Sequence, residues 1–105
     1  MNEIYEAMIV FDSRTIESEI DKMIEKVKTI TETSGGEILK SEKQGRKKFA
    51  YEIKGRKEGN FVYLEIRLNK NSVPELERNC RLSDSVLRYS IFRKSKNEEK
   101  QEVKK

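Results

Sequence analysis

The chain contains no histidine, a single cysteine (Cys80) and a single proline (Pro74) in 105 residues. One cysteine excludes an intrachain disulfide framework. Without histidine, a zinc site of the usual nitrogen and sulfur ligands cannot be assembled within one chain. The same lack removes the commonest general base and the Ser-His and Cys-His nucleophile pairs. No apolar run approaches the ~18 residues of a membrane span, and Met1-Asn2-Glu3-Ile4 carries an acid where a secretory signal carries positive charge, so a cytosolic protein is expected. Apolar residues are also scarce, 34% against 40% charged, which leaves little for a core unless the charge is gathered where no core is needed. A chain of this length suits one domain.

The charge is in fact segregated. Lys and Arg number 23 against 19 Asp and Glu, a net +4, yet residues 1 to 39 carry −5 and residues 40 to 57 carry +6. Residues 58 to 92 cancel, and residues 93 to 105 carry +3 with Val103 as their only apolar side chain. Such a tail has nothing to bury, so a domain over residues 1 to 92 and a basic tail disordered without a partner are expected.

Ile4 to Phe11 is apolar on both alternating sets except at Glu6, as a strand inside a sheet requires. Asp12 and Ser13 offer caps to a helix whose apolar stripe is Ile16, Ile20, Met23, Ile24, Val27 and Ile30, and Ser34-Gly35-Gly36 stops it. Glu37 to Ile53 reads as extended, interrupted at Gly45 by a bulge or bend, and Gly55 to Asn60 reads as a turn. Phe61 to Leu68 alternates cleanly, with Val62, Leu64, Ile66 and Leu68 on one face. Ser72-Val73-Pro74-Glu75 has the capping-box pattern and leads into a short helix burying Val73, Leu76 and Cys80. Asp84-Ser85 turns into a last strand, where Leu87, Tyr89 and Ile91 oppose Val86, Arg88, Ser90 and Phe92.

The expected fold is therefore α+β, a ferredoxin-like βαββαβ domain whose four-stranded antiparallel sheet carries two helices on one face. The other face would hold Ile4, Met8, Val10, Phe61, Tyr63, Arg88 and Phe92, too apolar for a surface meant only for water. Phe61 and Tyr63 beside Arg88 could stack unpaired bases, and Gly59 to Tyr63 is similar to the central-strand motif of RNA-recognition domains. The same rings could equally pack against a protein. The basic stretch could neutralise phosphates or serve as a solvated edge that blocks aggregation. Cys80 reads as a small core residue, Glu17 and Glu19 as a solvated helix face, and no glycine spacing matches a phosphate-binding loop.

Over residues 3 to 94 the chain resembles the bacterial small-subunit ribosomal protein six family. The resemblance rests on Tyr5-Glu6, on Gly45-Arg46-Lys47-Lys48-Phe49-Ala50-Tyr51-Glu52-Ile53, on Gly59 and Phe61, and on Arg81-Leu82, Asp84 and Val86-Leu87-Arg88. It implies a non-enzymatic structural component of the small ribosomal subunit, without cofactor or metal. It also implies binding to the central domain of 16S ribosomal RNA together with ribosomal protein eighteen, the two sharing the open sheet face and its margins. Arg88, Phe61 and Tyr63 are then the leading contacts, followed by Arg93 and Lys94, with Arg46, Lys47, Lys54, Arg56 and Lys57 added on charge. The chain departs from the family at Glu3-Ile4, where arginine is common, and at Gly55, where lysine is common. The rival readings are a stand-alone RNA-recognition domain and an oligomeric regulatory domain binding a small effector.

Overall fold

The computed structural model describes residues 2–94. The elements are β1 (Asn2–Asp12), α1 (Glu17–Thr33), β2 (Glu37–Ile53), β3 (Arg56–Asn69), α2 (Val73–Leu82) and β4 (Val86–Arg93). One turn of 3-10 helix, Lys70–Ser72, leads into α2. The strands form one sheet in the order β2-β3-β1-β4 with every neighbour antiparallel. This is the expected ferredoxin-like arrangement. Of the expected tail, residues 93 to 105, the first two are described, Arg93 as the last residue of β4 and Lys94 directly after it, and residues 95 to 105 lie outside the described residues.

The core lies between the helices and one sheet face. Tyr5, Ala7, Ile9 and Phe11 from β1 and Val62, Leu64, Ile66 and Leu68 from β3 meet Ile20, Met23 and Val27 from α1 and Leu76 and Cys80 from α2. Each fully buried aliphatic side chain contributes ~1.5–3 kcal/mol by leaving water. Burial also pushes the Cys80 thiol up to about 11, so it packs as a small apolar group and is not a reactive thiolate.

Local details depart from the sequence expectation in informative ways. Asp12 and Ser13 do not cap α1. The Asp12 carboxylate accepts the Arg14 backbone N–H at 3.0 Å, closing an Asx turn, and the helix starts only after Ile16, which is exposed. The buried stripe continues instead to Thr31, whose hydroxyl donates to the Val27 carbonyl at 2.7 Å and so carries no unmet polar atom into the core. Ser72 does not act as the cap of a capping box either. It ends the 3-10 turn in helical geometry, and the Asn69 side chain accepts the Asn71 N–H at 2.9 Å. On β4, Val10 stands opposite Arg88 but Phe11 stands opposite Val86, so Leu87 is the extra residue of a bulge. The slip turns Val86 into the core, not to the open face.

The largest departure is in the β2–β3 hairpin. Gly55 to Asn60 is not a turn: the strands are joined by Lys54 and Gly55 alone, both at positive φ (51° and 79°), as a tight hairpin turn demands. Pairing holds at Lys48 with Glu58 and resumes at Ile53 with Arg56. Phe49 to Glu52 therefore bow out opposite Lys57 alone.

Candidate functional site

The open sheet face is built by alternation. Residues on β1, β3 and β4 that do not point at the helices point away from them, which brings Met8, Val10, Phe61, Arg88 and Phe92 to one surface. Over this surface arches the bowed segment of β2. Phe49 lies against Phe61 with ring centroids 5.9 Å apart and planes tilted by 58°, and the Arg88 guanidinium donates to the Tyr51 hydroxyl at 3.4 Å. Since β3 and β1 lie between β2 and β4, Tyr51 reaches across two strands to meet Arg88. The seat for Phe49 is Gly59, where a Cβ would stand 2.9 Å from the ring and 2.6 Å from the Phe11 carbonyl. Under and beside the arch runs an apolar groove of about 500 Å³, with Lys48 and Arg88 at its edges. Phe92, 65% exposed, and Tyr51, 67% exposed, stand at its rim.

Phe61 and Arg88 thus line one groove, with the Lys47 ammonium 5.5 Å from the Phe61 ring centroid. Tyr63 sits outside the groove, in a network of its own. Its hydroxyl lies 2.9 Å from Glu6 Oε2 and 3.0 Å from Glu65 Oε2 and donates its one proton to either. Lys94 donates to Glu65 at 3.0 Å and lies 3.7 Å from Glu6, its side chain only 11% exposed. Burial and the two carboxylates push the Tyr63 phenol well above its ordinary range, while the Lys94 ammonium holds the Glu65 carboxyl below its own. Lys40 covers the Tyr63 ring at 5.8 Å. Lys94 is therefore placed as an internal counter-ion at the end of β4.

The other basic candidates divide by partner. Arg93 pairs with Glu3 at 2.9 Å, Arg56 with Asp12 at 3.1 Å, and Arg46 lies 3.9 Å from Glu58. Lys54 and Lys57 stand exposed at the hairpin tip. The sequence reading assigned no contact to Phe49 or Tyr51, although two aromatic residues inside a strongly basic stretch were the available signal.

Among the described residues no helix is long and apolar enough to cross a membrane. The family model for ribosomal protein S6 matches residues 4–93. The chain belongs to the ribosomal protein S6 family. It is accordingly a structural, non-enzymatic ribosomal protein. Curated relatives named small ribosomal subunit protein bS6 include one from Carboxydothermus hydrogenoformans, 34% identical over 88% of this chain and 96% of the relative. Another, from Thermotoga neapolitana, is 36% identical over 93% of this chain and 78% of the relative. The crystal structure of 30S ribosomal protein S6 from Thermotoga maritima superposes with a TM-score of 0.83 at 35% identity, covering 99% of this chain and 97% of that one. In this S6-family chain, the Gly45 to Ile53 segment that carries the resemblance is the one that forms the arch.

Proposed function

We propose that the protein binds the central domain of 16S ribosomal RNA jointly with ribosomal protein eighteen, the protein partner seated in the open-face groove and RNA running along its basic margin. The observation that carries this reading is the apolar groove under the arch, edged by Lys48 and Arg88. An apolar hollow with aromatic walls and a few charges at the rim matches the anatomy of a protein–protein contact. Base stacking on bare rings fits less well, because Phe61 already carries Phe49 and Lys47, and Tyr63 carries Lys40. The proposed contacts are Phe61 and Arg88 in the groove, Lys47, Lys54, Lys57 and Arg46 along the hairpin, and Arg93 at the end of β4. Tyr63, Lys94 and Arg56 shape these surfaces from within their own hydrogen bonds.

The test is binding of a central-domain 16S RNA fragment with and without ribosomal protein eighteen, over a series of salt concentrations. Joint binding predicts a large gain in RNA affinity when the partner is present. Equal affinity in both arms would favour a stand-alone RNA-recognition domain. A stable homo-oligomer whose RNA binding is no better than its net charge supplies would favour the small-effector reading.

A further inference from the structure

We infer that a second, smaller hollow at the β4 edge seats a phosphate of the RNA backbone, gripped by Lys54, Arg81 and Arg88. The inference rests on the RNA-binding reading above and adds to it a specific seat and a residue, Arg81, that the reading does not contain. The hollow measures about 260 Å³ and is lined by Lys54, Cys80, Arg81 and Val86 to Tyr89. The tip of the β2–β3 hairpin meets the last turn of α2 and the start of β4 there, about 26 residues further along the chain.

All three cations are exposed, and no acidic residue lines the hollow. Among the described residues none of the three is ion-paired, whereas Lys43, Arg46, Arg56, Arg67 and Arg93 each have a carboxylate within 4.0 Å. Both guanidiniums are instead steadied by phenols. Arg81 donates to the Tyr89 hydroxyl at 3.5 Å and Arg88 to the Tyr51 hydroxyl at 3.4 Å. A phenol orients a guanidinium without cancelling its charge, which leaves the remaining N–H donors for an anion. Arg81 also complements the negative C-terminal end of α2, but that role needs one cation, not three around one hollow. Like charges gathered this way repel one another until an anion arrives. Two forked guanidiniums and an ammonium suit the non-bridging oxygens of a phosphodiester.

The experiment uses the full chain with ribosomal protein eighteen and the central-domain RNA fragment. It compares wild type with Arg81→Gln, Lys54→Gln and a charge-matched control, Lys26→Gln, on the exposed side of α1. Arg81→Gln and Lys54→Gln should each raise the Kd for RNA roughly tenfold and flatten the salt dependence by about one phosphate contact, while Lys26→Gln does neither. Circular dichroism and thermal melting verify that the variants fold. Arg81→Gln behaving as Lys26→Gln does would overturn the seat. So would an Arg81→Gln effect that appears on ribosomal protein eighteen alone, without RNA, since the hollow would then be a protein contact. If wild type with its partner fails to bind RNA, the parent reading falls before any variant is compared.

Discussion

Lys54 occupies the left-handed region at φ 51°, where a non-glycine residue with a Cβ is strained. Lys54→Asn, the residue type preferred at the first position of such a two-residue turn, should raise stability by ~0.5–1 kcal/mol in urea unfolding while weakening RNA binding. Raised stability with unchanged RNA binding would mean that the lysine serves the turn alone. Arg88→Ala removes the link to Tyr51 as well as a charge, and should cost ~1–3 kcal/mol in assembly with RNA and ribosomal protein eighteen. Retention of wild-type assembly would take Arg88 out of the interface. Glu65 makes the pH prediction. Its carboxyl titrates below its ordinary 4.5 in the folded chain, chiefly because Lys94 donates to it. As pH falls, the unfolded chain takes up this proton first, so the stabilisation is full above about pH 4.5 and is lost as pH drops through the folded value. Glu65→Gln should therefore narrow the gap in unfolding free energy between pH 7 and pH 3. An unchanged gap would show that the Lys94 contact carries no net stabilisation.

The arch is the element that turns a ferredoxin-like sheet into a docking surface. It depends on Gly59, which sequence reasoning assigns to a turn because glycine and asparagine stand together there, and which in fact lies in β3 beneath the Phe49 ring. Gly59→Ala should displace Phe49 or the Phe11 carbonyl, costing ~1–3 kcal/mol by overpacking and weakening the partner more than the RNA. Thermal melting and partner titration together check this, and an alanine accommodated at no cost in either would show that the arch is seated elsewhere. The helices teach a related lesson. Hydroxyl and acid residues at Asp12, Ser13 and Ser72 mark the neighbourhood of a helix start correctly, but Asp12 is engaged by Arg14 and Arg56 and the chain enters α1 only at Glu17, five residues later. Thr31 was invisible as a core residue because its polarity is cancelled within its own helix.

At the scale of the whole molecule the modest +4 matters less than where unpaired cations lie. The acids of β1 and α1 draw in many neighbouring bases, Lys43 onto Glu17 and Asp21, Arg56 onto Asp12 and Arg93 onto Glu3. Lys47, Lys54, Lys57, Arg81 and Arg88 have no ion pair among the described residues, and Lys54, Arg81 and Arg88 line one hollow. About four phosphate contacts imply a fall in RNA affinity of roughly 100-fold between about 50 and 200 mM salt. A drop of only a fewfold would leave the RNA contact mainly apolar and hand the margin to the protein partner.

The alternation of β3, the stripe of α1 and the order of elements were legible from the residues alone, because period and burial are local consequences of side-chain chemistry. So was the segregation of charge, which tertiary structure can redistribute but not create. Phe61, Tyr63 and Arg88 were placed on the open face by parity along their strands. What they touch there was not. The single-residue bulge in β4 and the pairing of Lys94 with Glu65 depend on register between strands far apart in sequence, and the four-residue bow in β2 depends on where its hairpin with β3 resumes pairing. A one-residue slip reverses which face a side chain meets. Only the assembled sheet could therefore decide that Phe49 and Tyr51 roof the groove, or that Arg81 stands beside Lys54 and Arg88.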